Sequence, residues 1–492
     1  TVVVDQTANC RNMNWTLASN TPSFTGGANL NIYGSLSLSA SMNWNVGNTY
    51  FQSTLPGNTI LTNGTQVNGN IRFEGNGGEW TFLDDLDNGI FTWYHERGSI
   101  LTGGNDVYTG AYYSNANQIR SLNLGSSNIF ILPNQGNAWF MNGQNFTLDA
   151  GTSHIHIYCY GNAGYNFRTS NATTLNFHDL SFEGNYSTAF ILGTTNFRDV
   201  RFETHGYIAN SIFTRDVYLE KGFTYFIGGG QTLNINRNLI TNATCQESIE
   251  IVAPPNQTGI IAKPSGNVTI SWVTLESIHA QGPGTFQVNN GLDLGNNLGW
   301  TFSNRPSFTL YWVGGDGQWN EASNWSFASG GPGNGCVPTA ADDVVFDANS
   351  FTAAGQTVMV DTLIAYCRNM DWTGASFNPS FVTNRELRIY GSVTFIEDMS
   401  TTFNRFTYFV SFDPGNTITM AGQVFEQEVQ FDRIGGEWTF LDEFECAREL
   451  EFRAGLLNTN SQLVRLERLR SETTYPRELI LGASEITLVS GN

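Results

Sequence analysis

Three aspartates, Asp179, Asp199 and Asp216, recur along the chain with Arg198, Arg201 and Arg215 close by in sequence. Their steps of 20 and 17 residues are followed by one of 22 to Asn238, and Asn176, Phe177 and Phe182 recur at the same 20-residue step as Asn196, Phe197 and Phe202. Stacked on one line, such carboxylates can hold a divalent cation that acidifies the α-proton of a sugar acid, with an arginine placed to remove it. The same residues also serve without chemistry, as a corner ladder that satisfies turn amides. The ladder is the ordinary use of these side chains, and it is the expectation carried forward.

Other residue types offer further chemistries. Asp316, Glu321, Asp342, Asp343 and Asp347 sit in or beside loops and suit either a structural calcium or solvated turns; they match neither the EF-hand nor the glycine-rich nonapeptide pattern. His154 and His156, with Cys159 close by in "SHIHIYC", are of zinc-binding type, although a fourth ligand is not in view. Trp93, Tyr94, Trp312, Trp319 and Trp325 suit a platform for pyranose rings as well as they suit a core. Nothing in these patterns calls for a cofactor.

The six cysteines include no C-x-x-C pair. Cys336 and Cys367 are the best-matched pair, and a disulfide closing the 31-residue loop between them would contribute on the order of 3–4 kcal/mol. Unpaired, both are small apolar fillers. Cys10 is the repeat counterpart of Cys367, and Cys159, Cys245 and Cys446 have no evident mates.

The elements that must position these residues are strands. In "LNIYGSLSL" one parity reads Leu30, Ile32, Gly34, Leu36, Leu38 and the other Asn31, Tyr33, Ser35, Ser37, a dry face and a wet face. Units of 17–22 residues that cannot bury a face alone must stack on their neighbours. The 20-residue step therefore favours an all-β, right-handed parallel β-helix over a propeller of blades of about 40 residues or a string of hairpin sandwiches.

At larger scale the chain repeats itself: "CRNMNW" (10–15) returns as "CRNMDW" (367–372), "LNIYGSLSL" as "LRIYGSVTF" (387–395), and "PGNTI" and "GGEWTFLD" return verbatim, at an offset of 357–358 residues. Residues 1–304 are expected to form the β-helix of a first copy, 305–350 a connector or cap opening the second, and 351–492 the second β-helix. Both ends of the sequence fall inside a copy, as expected of a window on a longer chain.

Lys and Arg total 23 against 43 Asp and Glu, a net charge of −20, and Lys221 and Lys263 are the only lysines. Without a basic stripe to replace counterions, nucleic acid is disfavoured as a partner, and so are anionic membranes. No run approaches the ~18 apolar residues of a membrane-spanning helix.

The run "YWVGGDGQWNEASNWSFASGG" (311–331), then "GCVPTAADDVVFDANSFTAAGQTVMVD" (335–361) and "CRNMDWTG" (367–374), resembles a repeat of very large cell-surface proteins of Bacteroidota, the class exported by the type IX secretion system. That resemblance implies an extracellular, cell-surface location and a structural or adhesive role in attachment, gliding or prey-seizing filaments, without catalytic residues. The partners it implies are further copies in a fibre or bundle, and cell-surface glycans or a prey surface. The alternative is a carbohydrate-active β-helix, a lyase-like enzyme or a glycan-binding module.

Overall fold

The computed structural model describes residues 1–133, 136–161, 164–171, 174–184 and 187–489. The chain is an all-β solenoid with turns of about 22 residues. A typical turn runs Gly98–Leu101, Val107–Thr109, Ala111–Ser114, and the next runs Arg120–Asn123, Asn128–Ile131, Asn137–Asn142. Each strand lies parallel on its predecessor: Ile100 faces Leu122, Val107 faces Ile129 and Tyr112 faces Trp139. Those six side chains point inward and are fully buried, while Ser99, Tyr108 and Tyr113 alternate outward. Period-two alternation thus fixes the register, because a slip of one residue would turn every apolar side chain to water.

The chain forms two compact units, one of residues 1–243 and 249–303, the other of residues 244–248 and 304–492. The stretch 305–350, expected as a connector or cap opening the second copy, lies within the second unit. Thr309–Trp312 and Asp343–Val345 are themselves rungs, with Leu310 paired to Val344 and Val344 to Met370. Trp312, Trp319 and Trp325 are wholly buried in the same core as Trp372 and Phe381, and Phe346 stacks on Trp372 with centroids 3.6 Å apart. Among the described pairings, the antiparallel one joins Tyr311 and Trp312 to Ser326 and Trp325.

The duplicated segments build the frame. Asn12 Oδ1 accepts the Ser35 amide at 2.9 Å, and Asn369 Oδ1 accepts that of Ser392 at 2.8 Å. A Cβ on Gly34 or Gly391 would lie 2.1 or 2.3 Å from those oxygens, so "CRNM" and "IYGS" recur together as one inter-coil lock. Asn58 Nδ2 donates to Leu55 O and Glu79 O, and Asn416 Nδ2 does the same to Asp413 O and Glu437 O. Trp80 and Trp438 are buried against glycines of neighbouring turns, Gly98 and Gly455, both at positive φ.

Candidate functional site

The carboxylate row predicted from spacing is in register. Asp179 pairs with Asp199, Asp199 with Asp216, and Asp216 with Asn238 on successive rungs. Arginines are interleaved with it. Arg198 Nη1 reaches Asp179 Oδ2 at 3.3 Å, Arg215 forks onto Asp199 at 2.5 and 3.0 Å and also meets Asp216 Oδ2 at 3.0 Å, and Asn238 Nδ2 donates to Asp216 Oδ1 at 2.8 Å. Asp216 is fully buried, and burial raises the pKa of Asp179 against the opposing pull of His178 and Arg198. Guanidiniums and the Asn238 amide thus hold most of the carboxylate oxygens that a cation would need, Asp179 Oδ1 being buried without a partner, and the row is a charge-alternating ladder along one side of the first unit. Arg201 lies off this row, bound to Glu203 at 2.6 Å.

The other predicted groups do not converge. Asp342 is buried, forks onto Arg305 at 2.9 and 3.1 Å and accepts the Thr339 and Phe308 amides. Asp343 accepts Arg368 Nε and Asn369 Nδ2, Asp347 caps its own turn at the Asn349 amide, and Asp316 accepts the Thr357 amide. Glu321 does not join them. His154 and His156 face outward, where they meet Ser181 and Glu183 at 2.7 and 2.6 Å, whereas Cys159, of opposite parity, is buried in the core. Alternation therefore separates the zinc set. Burial pushes the Cys159 thiol up to about 12. Of the proposed aromatic platform, Trp93, Trp312, Trp319 and Trp325 are all fully buried, and Tyr94 alone turns outward.

The disulfide differs from expectation: Cys336 is bonded to Cys245, and Cys367 is a free, buried thiol. Cys367 ends an inward-facing strand, Ile364–Cys367, whose burial raises its pKa. Cys245 lies in the short segment 244–248 that belongs to the second unit, with its Cα 5.0 Å from that of Cys336.

The sequence reading missed a groove on the first unit. It has a volume of about 800 Å³ and is lined by Gln52, Arg72, Glu74, Glu96, Asn117 and Gln118 among others. Beside it an outward row runs across successive rungs, Tyr50, Arg72, Tyr94, Tyr113, Phe140 and Arg168. The Arg72 guanidinium lies 3.7 Å from the Tyr94 ring centroid, and Tyr113 stacks on Phe140 at 5.0 Å. Burial raises the pKa of Glu96, with Arg72 opposing. The available signal was parity, since the residue after each buried aromatic in "TWYH", "AYYS" and "AWFM" must face out.

In the second unit Glu428, Glu449 and Glu451 bring carboxylate oxygens within 4.8 Å of one another, a spacing that suits a metal ion. These acids are already matched: Glu449 by Arg468 and Arg470, Glu451 by Arg453 at 3.1 Å, and Glu428 by Gln430 at 2.5 Å. Compared with family models, with curated proteins and with solved structures, the chain matches none of them.

Proposed function

We propose that this chain is a structural and adhesive repeat of a very long secreted surface protein, in which stacked turns make a stiff spar that assembles with further copies in a fibre or bundle. The carrying observation is how the duplicated residues are used. Asn12 and Asn369, Asn58 and Asn416, and Trp80 and Trp438 all hold one turn to the next. A disulfide fits an oxidising compartment, and a net charge of −20 suits a surface exposed to water. No helix among the described residues is long and apolar enough to cross a membrane.

Stretching single molecules from end to end tests this reading. Turns of about 22 residues should rupture in succession, each lengthening the chain by about 75 Å at ~3.5 Å per residue. Collapse of the whole chain in one low-force step would sink it. The carbohydrate-active alternative draws on the Asp–Arg ladder, and it would displace the structural reading if the chain cleaved a sugar polymer and Asp199→Ala abolished that turnover.

A further inference from the structure

We infer that the groove of the first unit, with its outward row of aromatic and arginine side chains, is a binding site for an extended neutral glycan. The inference deepens the adhesive reading and rests on it for its biological use.

The chemistry of the lining selects the ligand. Pyranose rings have apolar faces and equatorial hydroxyls, so they are held by aromatic faces flanked by both donors and acceptors. Tyr50, Tyr94, Tyr113 and Phe140 supply an aromatic strip on rungs about 4.8 Å apart, a spacing close to one sugar unit, with Arg72 against one face of Tyr94 and Tyr113 stacked on Phe140. Gln52, Glu74 and Glu96 follow two residues after Tyr50, Arg72 and Tyr94, just past the ends of their strands, and supply acceptors alongside them. Arg72 has donors in reserve: its buried Nε has no hydrogen-bond partner, and its contact with Glu74 is a loose 3.9 Å. In the groove Glu74 and Glu96 are balanced by Arg72 and Arg97, so no local excess of positive charge attracts an acidic polymer, and the net charge of −20 opposes one. A neutral one meets no such repulsion.

The second copy supplies the internal comparison. The same row there reads Arg388, Tyr408, Gln430, Glu451 and Arg470 on successive rungs. Arg72, Tyr94 and Tyr113 thus correspond to Gln430, Glu451 and Arg470, and Gln52, Thr54 and Glu96 to Val410, Phe412 and Arg453. The charges are spent on one another, Arg453 binding Asp432 at 2.9 Å and Glu451 at 3.1 Å, and Arg433 covers the Phe412 ring at 4.3 Å. The frame residues survive between copies, whereas this surface is mostly replaced, Tyr50 being kept as Tyr408 and Glu74 as the acid Asp432. The fold therefore does not require the first copy's groove residues, and the difference is one of recognition.

Calorimetric titration of the full chain with soluble hexaoses of β-linked glucose, xylose and mannose and of α-linked glucose, and with polygalacturonate as the acidic arm, tests the site. At least one neutral hexaose should bind saturably. Arg72→Gln, which installs the second copy's residue, and Tyr94→Ala should each weaken it about tenfold or more. Phe130→Ala, on a different sheet, should leave the affinity unchanged while unfolding midpoints confirm that every variant is folded. Binding of none of the neutral hexaoses, binding of polygalacturonate alone, or equal affinity in wild type and both groove variants would each overturn the proposal. The stretching experiment reads turn strength and is indifferent to these variants, so the two readings fail separately.

Discussion

Arg120 Nε donates to Ser114 Oγ at 2.7 Å, and the same bond joins Arg477 to Ser471 at 2.5 Å, 357 residues further on. Arg120 is almost wholly buried, and its described hydrogen-bond partners include no carboxylate. Nη1 donates to Gln118 O and Gln144 O, and Nη2 to Ser114 O and Asn142 O. Its guanidinium gathers the carbonyls of one corner and ties that corner to the following turn. Burial lowers its pKa, yet a guanidinium stays charged at any accessible pH. Arg120→Lys keeps a charge but cannot reproduce the planar fork. We expect it to cost about 3 kcal/mol or more in urea denaturation, and Arg120→Met to cost as much through the stranded carbonyls. A change below ~1 kcal/mol in both would refute the corner role.

The Cys245–Cys336 bond spans 91 residues, and in the chain-entropy model a loop of that length is worth roughly 4–5 kcal/mol. Reduction, or Cys336→Ala, should therefore lower the unfolding midpoint of the second unit markedly. Cys367→Ala should give only the smaller loss of a buried thiol, unchanged by reductant. Calorimetry of the three proteins with and without dithiothreitol decides the pairing. Equal sensitivity of the Cys367 variant and the wild type to reductant supports Cys245–Cys336, and lost sensitivity in the Cys367 variant would restore the pair first expected from sequence.

The legible parts of the molecule are those in which one side chain must meet its own kind on the next rung. Asp179, Asp199, Asp216 and Asn238 announce their pairing because each ladder partner is polar at one corner, so unequal steps of 20, 17 and 22 residues still align. The disulfide was hidden for the opposite reason. Cys245 sits in a segment with no strand pattern, and the repeat offset draws attention to Cys10 and Cys367 instead. Trp312, Trp319 and Trp325 lie among glycines and asparagines that read as surface, yet their indoles fill the core beneath those loops. The groove draws residues from several turns between Gln52 and Gln118, and none of them is unusual alone; it exists only once the rungs are stacked.

The charge ladder should show a gradient along its length. Asp216 is fully buried and receives Asn238, Arg215 and Arg237, while the outermost member, Asp179, is about a quarter exposed. Asp216→Leu leaves Asn238 and part of Arg215 without an acceptor at a dry corner, and about 2–3 kcal/mol of stability should be lost. Asp179→Ala should cost under ~1 kcal/mol, as exposed pairs do. Equal losses at both sites in guanidinium denaturation would contradict a ladder whose strength comes from burial.

His95 provides a pH test with a definite sign. Its ring is fully buried between Tyr112 OH and Gly98 O, each at 3.0 Å, and burial foremost lowers its pKa from 6.5 to about 3. The unfolded chain takes up a proton as pH falls through 6.5, whereas the folded chain declines it until about pH 3. Stability from this group is therefore complete above pH 6.5 and drains away on acidification, at ~1.4 kcal/mol per unit between those limits. By pH 4.5 the loss should be about 2–3 kcal/mol. Carboxylates released from ion pairs contribute in the same direction, so the informative quantity is a difference between proteins. The second copy places Phe452 and Leu469 where the first has His95 and Tyr112. The double variant His95→Phe, Tyr112→Leu should be flatter than wild type by that amount between pH 7 and 4.5 when urea midpoints are compared across the series. Parallel pH profiles for the two proteins would show that His95 is not the acid-sensitive group.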